Sequence, residues 1–166
     1  MKDVSSLFKS FLYAFKGFGW MITHERNFRV HLTCLIYMFY YLLRYDFFVV
    51  SKTEICVLLL SCALVLGGEL INTGIEKADD TVSKERKRTI AISKDAAAGA
   101  VLVFAVFSVI IGVVIMFQPE AFRLLFNHYV TEPIYLLFLL LSLIVALLFI
   151  FKFRSFVKFV KGKMKK

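Results

Sequence analysis

The chain has 166 residues, 60% of them hydrophobic, and its mean hydropathy is +0.76. Soluble domains are about half apolar and one-quarter charged, so this composition favours a membrane protein of one domain. The formal net charge of +9 predicts attraction to anionic partners such as lipid headgroups or a nucleotide. No nucleic-acid-binding motif accompanies the charge, so a nucleic-acid partner is not predicted.

The N-terminal segment, residues 4–20, has the pattern of an amphipathic helix lying on a membrane surface. Lysines mark one side of this helix, and Phe8, Phe11, Phe15 and Phe18 mark the other. The alternative interpretation is a simple N-terminus that only sets the membrane topology.

Four apolar stretches approach the ~20 residues that a bilayer-spanning helix needs. They cover about residues 30–50, 55–75, 95–117 and 134–151, and the second continues to residue 82 as a helix with a polar face. Residues 120–131 are more polar and flanked by prolines, which indicates a loop. We therefore predict an all-α membrane bundle. Residues 1–117 form a surface helix and three spans, and residues 118–166 form a loop, a fourth span and a basic tail.

The basic residues predict the orientation in the membrane. Five lie in the N-terminal segment, six around the connection between the second and third spans, and seven in the tail, leaving three of the 21 elsewhere. Because Lys and Arg concentrate in cytoplasmic loops, both termini and the connection at 84–88 are predicted to be cytoplasmic. An even number of spans fits this arrangement.

One face of the second span carries four acidic or amide side chains: Glu69, Asn72, Glu76 and Asp80. At about 100° per residue these positions fall within an arc of roughly 80°. A carboxylate at membrane depth costs at least ~2.5 kcal/mol on insertion scales, so such residues indicate a functional site. Clustered carboxylates repel unless a cation lies between them, and a hard divalent cation on carboxylates suggests Mg²⁺ and phosphates.

Other elements bring further polar groups to the same depth. Glu25 lies at the inner mouth of the first span, and Lys94 and Asp95 open the third. Phosphoryl transfer needs carboxylates for a metal, cations for the phosphates and a base for the attacking hydroxyl, and all three kinds of group are present. The glycine-rich phosphate loops of soluble enzymes are absent, and Gly67-Gly68 is interpreted as close helix packing.

The run Glu69-Leu-Ile-Asn-Thr-Gly-Ile-Glu76, then Asp80, then Lys94-Asp-Ala-Ala-Ala-Gly-Ala-Val-Leu102 resembles a known family. This is the small prokaryotic integral-membrane diacylglycerol kinase and undecaprenol kinase family, and the likeness covers roughly residues 8–117. The segments at 25–31 and 96–100 are more similar to the undecaprenol kinase branch of Gram-positive bacteria.

The resemblance implies an enzyme of the bacterial cytoplasmic membrane that uses ATP and Mg²⁺ to phosphorylate a membrane lipid alcohol. It implies a homotrimer whose active sites are shared between chains. The implied roles are as follows: Glu69 is the general base and Asn72 helps to position the lipid hydroxyl; Glu25 and Glu76 hold the metal; Lys94, Asp95 and Tyr13 contact the nucleotide.

Several points stay open on the sequence alone. The substrate is undecaprenol or, as the alternative, diacylglycerol, and more distant hypotheses are a small ion-coupled carrier and an inactive scaffold. The roles of Arg29 and Asp80 are unassigned. Asp79 is interpreted as a solvated helix-end residue, and His31 as a packing or interfacial residue. The fourth span departs from the three-span pattern of the family.

Overall fold

A computed structural model describes residues 2–82 and 88–163. Every element in these two ranges is an α-helix: α1 (Lys2–His24), α2 (Arg26–Arg44), α3 (Lys52–Val82), α4 (Arg88–Met116), α5 (Pro119–Thr131) and α6 (Pro133–Lys163). The prediction of an all-α membrane bundle is confirmed. The core of the basic connection, 83–87, and residues 164–166 of the basic tail lie outside the described residues.

Among the described residues, three helices, α3, α4 and α6, are long and apolar enough to cross a membrane. They contain the second, third and fourth predicted spans. The helix α3 has 31 residues and runs without interruption from the second span through all four acidic or amide side chains. The predicted continuation of this span to residue 82 is therefore confirmed.

The first predicted span differs from its helix, because α2 ends at Arg44 and residues 45–51 are not helical. The first predicted span is also less apolar than the other three predicted spans. Nevertheless α2 lies antiparallel to α6: Arg29 donates to the carbonyl of Ile150, and the Arg44 guanidinium lies 6.0 Å from the ring centre of Tyr135. Fifteen helical residues separate the two contacts, which is about 22 Å. This supports a crossing by α2, which stays a prediction.

The prediction of a loop at residues 120–131 is wrong, because this segment forms α5. Proline is favoured at the first position of a helix, where its missing N–H has no intrahelical partner. Pro119 begins α5 and Pro133 begins α6, so the two prolines mark helix starts. Glu120 in the first turn of α5 forms an ion pair with Arg123 one turn later.

The helix α5 packs over the end of the bundle where α2 stops and α3 starts. Tyr45, Phe48 and Ala121 form a buried cluster there. The side chain of Gln118 accepts a hydrogen bond from the Val49 amide at 3.1 Å and donates to the Val49 carbonyl at 3.0 Å. These contacts fix two chain connections at one end, opposite the end that carries the acidic groups.

The most extensive helix pair is α3 with α4, and one glycine allows its close approach. A Cβ placed on Gly68 would lie 2.9 Å from Cδ2 of Phe104, whereas one on Gly67 would meet nothing within 4 Å. The predicted role in close packing therefore holds for Gly68 alone. At the start of the bundle α1 packs on α2, where Phe28 is fully buried against the edge of the Phe18 ring.

Candidate functional site

The helix α3 places the predicted acidic face at one end of the bundle. Glu69 is 5% exposed, so it is a buried acid. One turn further, Asn72 Nδ2 donates a hydrogen bond of 3.1 Å to Glu76 Oε1. The helical repeat brings these two side chains together because residues four apart share a face. The structure thus brings Asn72 and Glu76 into direct contact, near the buried Glu69.

His31 of α2 lies beside the buried acid. Its Nε2 is 3.5 Å from Glu69 Oε1, and the two side chains are 26% and 6% exposed. The interpretation of His31 as a packing residue missed this pairing. The sequence did hold a signal for this pairing: His31 is a polar residue at membrane depth, where placing a polar side chain costs free energy unless it has a partner. A histidine here can hold the carboxylate in one orientation.

Asp80 and Lys94 form an ion pair between α3 and α4, with Nζ 2.5 Å from Oδ1. The side chains are 56% and 34% exposed, so this pair lies at the solvent side of the site. The sequence left the role of Asp80 open, and the structure gives it a partner. Asp95, next to Lys94, is exposed.

Two oxygen atoms of this region are buried without a hydrogen-bond partner: Asn72 Oδ1 and Asp79 Oδ2. The interpretation of Asp79 as a solvated residue is therefore wrong for this oxygen. Buried polar atoms nearly always have partners, so an unpaired pair of oxygens is unusual. Carboxylate and amide oxygens are of the kind that Mg²⁺ accepts as ligands.

Two predicted site residues stand apart from these contacts. Glu25 is the N-cap residue of α2, half-buried, and makes no side-chain capping hydrogen bond. Tyr13 lies on α1 and is 67% exposed, with Lys16 Nζ 5.5 Å from its ring centre. Within residues 2–82 and 88–163, no three His, Cys, Asp or Glu side chains converge to hold a metal ion. The described part of one chain therefore lacks a complete metal site.

The end of α1 contacts α3 close to the site. The rings of Trp20 and His24 stack with centres 4.5 Å apart, and Lys77 Nζ lies 5.7 Å from the Trp20 ring centre. Lys77 is therefore directed to the aromatic ring of α1 and leaves the carboxylate of Glu76 to Asn72.

Residues 12–116 match a family model described as prokaryotic diacylglycerol kinase, which is more than half of the chain. The chain belongs to the prokaryotic diacylglycerol kinase family. It is therefore a membrane lipid kinase, an ATP-dependent phosphotransferase. The helices α5 and α6 lie beyond the matched residues.

Two curated relatives support this assignment. The chain is 35% identical to an undecaprenol kinase of Bacillus subtilis over 120 residues, which cover 71% of this chain and 93% of that protein. It is 33% identical to a diacylglycerol kinase of Synechocystis over 115 residues, covering 69% of this chain and 64% of that protein. No solved structure shows significant similarity to the chain.

Proposed function

We propose that this kinase transfers the γ-phosphate of ATP to the hydroxyl group of undecaprenol. The observation that carries the proposal is the buried Glu69 beside His31, at the membrane end of the acidic face. The exposed Lys94–Asp80 pair lies at the other end of that face. Eleven helical residues separate Glu69 from Asp80, which is about 16 Å. A lipid hydroxyl can reach the first position from the membrane, and a nucleotide the second from water.

The proposed roles follow this gradient of exposure. Glu69 takes the proton of the lipid hydroxyl, and Asn72 helps to position that hydroxyl. Glu76 and Glu25 hold Mg²⁺, which supplies charge neutralisation at the phosphates when bound. The unpaired Asn72 Oδ1 and Asp79 Oδ2 support a cation in this region. Nucleotide contacts are assigned to Lys94, Asp95 and Tyr13.

We also propose a homotrimer with active sites shared between chains. The described part of one chain holds no complete metal site. The carboxylate of Glu25, the N-cap residue of α2, makes no capping hydrogen bond and could contribute to a site that a second chain completes.

The proposed location is the bacterial cytoplasmic membrane, with both termini in the cytoplasm and the basic segments near anionic lipid headgroups. The distribution of Lys and Arg supports this orientation. A reporter that is active only outside the cytoplasm should be silent when fused after Lys166. Strong reporter activity would exclude the orientation.

The lipid is proposed from the comparisons, because apolar walls discriminate poorly between hydrocarbon chains. Similarity over 93% of the undecaprenol kinase favours undecaprenol, and the Synechocystis relative makes diacylglycerol the second candidate. Purified protein is incubated with Mg²⁺, ATP labelled in the γ-phosphate, and each lipid in turn. Label should appear in undecaprenyl phosphate. Preferential labelling of diacylglycerol would select the alternative, and no label in either lipid would contradict both.

A further inference from the structure

A second candidate site lies away from the acidic face, in a groove of about 520 Å³ between α2 and α6. On α2 it is lined by one stripe from Thr33 to Tyr40, and on α6 by a stripe from Tyr135 to Phe149. The stripe on α6 covers fourteen residue steps, about 21 Å. One leaflet contributes about half of a hydrocarbon core of ~30 Å. The groove is therefore long enough for a lipid chain that crosses one leaflet.

Arg29 lies just beyond one end of this groove, where it joins α2 to α6. Its Nε and Nη2 donate to the Ile150 carbonyl at 3.1 and 2.9 Å, and Nη1 donates to the Ile22 carbonyl at 3.0 Å. Ile150 directly follows Phe149, the last lining residue of α6. The guanidinium, which belongs to a residue only 3% exposed, ties α2 to both α1 and α6. The role of Arg29 that the sequence left open therefore includes holding these three helices together.

The middle of the groove is mainly hydrocarbon. Its hydroxyl groups donate hydrogen bonds within the protein. Tyr37 donates to Ser142 Oγ at 2.9 Å, and Thr33 donates to the Arg29 carbonyl at 2.7 Å. The surrounding walls include Phe138 and Leu139. The O–H donors of these groups are used within the protein, so the section offers a ligand mainly hydrocarbon contact and favours an apolar chain.

The opposite end is polar and cationic. Tyr40, Tyr45 and Tyr135 line it, and the Arg44 guanidinium lies 5.4 Å from the ring centre of Tyr45 and 6.0 Å from that of Tyr135. Arg44 is exposed, and within the described residues it has no carboxylate within 4.0 Å. Tyrosines and arginine suit the membrane–water interface, and an arginine fork binds phosphate oxygens.

We propose that this groove binds one anionic phospholipid, with an acyl chain between α2 and α6 and the phosphate at Arg44. The order of chemistry along the groove, a cation, then phenol groups, then hydrocarbon, is that of such a lipid. Arg44 lies about 22 Å along α2 from Arg29. His31 and Glu69 are near the Arg29 end of the groove, far from Arg44. The bound lipid is therefore separate from the lipid that is phosphorylated, and the proposal does not depend on which alcohol that is.

The headgroup assignment is tested with full-length protein in phosphatidylcholine vesicles that contain a trace of spin-labelled lipid. The immobilised fraction in the electron spin resonance spectrum gives the relative affinity of each labelled lipid. Wild-type protein should favour phosphatidylglycerol over phosphatidylcholine, since its other basic segments also attract anionic lipid. The variant Arg44→Gln should lower this ratio about fivefold, the effect of one basic residue near a membrane surface. An unchanged ratio in Arg44→Gln would overturn the assignment of the phosphate to Arg44.

The chain position is tested by filling the groove. Ala146→Phe projects a ring into it, and Leu147→Phe on the same helical turn lies outside the lining and serves as control. Ala146→Phe should immobilise about one phospholipid fewer per chain, whereas the control should match wild type. Val145→Phe, also in the lining, replaces Ala146→Phe if that variant does not assemble. Both tests are read without ATP, so they stand apart from the kinase proposal.

Two results would contradict the proposal that the groove binds an anionic phospholipid. Equal immobilised lipid in wild type and in both groove-filling variants would show that the groove holds no phospholipid. Displacement of the labelled phosphatidylglycerol by equimolar undecaprenol would show that the groove belongs to the substrate.

Discussion

Helices α3 and α6 have the same length of 31 residues but opposite relations to the rest of the protein. Buried positions recur along α3 about once per turn, and three of them, Ser61, Glu69 and Thr73, are polar. Along α6, no residue from 133 to 160 is buried. Lipid is as apolar as leucine, so an apolar side chain gains little on moving from lipid into protein. The hydrophobic effect therefore does not explain the burial of a polar side chain such as Glu69, which points to a specific role.

The largest expected effect tests whether the buried acid of α3 is functional. Glu69→Gln keeps the size of the side chain but cannot accept a proton. Loss of a general base typically lowers the rate ~10²–10⁴-fold, so kcat should fall on that scale with little change in the KM for ATP. Glu54→Gln, at the other end of α3, is the matched control and should retain nearly wild-type kcat.

The measurement is the initial rate of lipid phosphorylation, after size-exclusion chromatography has shown that each variant assembles like wild type. Near-wild-type kcat in Glu69→Gln would exclude this residue as the base. It would also break the link between burial on α3 and catalysis.

The second effect separates the acids of one face. Glu76→Gln replaces the proposed carboxylate ligand with an amide, which binds a hard cation less well. The Mg²⁺ concentration for half-maximal activity should rise at least about tenfold, because loss of even a residue that supports a metal ligand weakens metal binding ~10–100-fold. Magnesium titrations at saturating ATP measure this for wild type, Glu76→Gln and Glu69→Gln. Identical profiles for the two variants would show that the roles are not divided as proposed.

The third effect concerns His31 of α2, which lies beside Glu69 of α3. His31→Leu fills the space of the imidazole but removes the polar contact with Glu69. The 3.5 Å contact helps to hold the carboxylate of Glu69 in place, and a misplaced catalytic group can cost ~10²-fold in rate. We therefore expect kcat to fall by up to ~10²-fold, less than for loss of the acid. Cys34→Ala, one turn along α2, is the control. Addition of His31→Leu to Glu69→Gln should cause little further loss, and a full second loss would contradict a role through Glu69.

The comparison of helices also shows which features a sequence can reveal. Polar residues at membrane depth and their helical spacing predicted the face with Glu69, Asn72 and Glu76, because both are properties of one segment. The contacts His31–Glu69 and Asp80–Lys94 were not predicted, since they depend on which helices are neighbours. The loop prediction for α5 failed because a proline both ends one helix and can begin the next.

The smallest effect measures how closely α3 needs its neighbour, in contrast with the loosely packed α6. Alanine in place of glycine favours a helix by up to ~1 kcal/mol. Gly67→Ala has free space, so it should be neutral or stabilising. Gly68→Ala places Cβ 2.9 Å from the Phe104 ring, and overpacking of this kind costs ~1–3 kcal/mol. In thermal unfolding of detergent-solubilised protein, Gly68→Ala should therefore have the lower Tm. Equal Tm values would mean that the ring of Phe104 moves aside freely and that α3 and α4 are not held at this distance by Gly68.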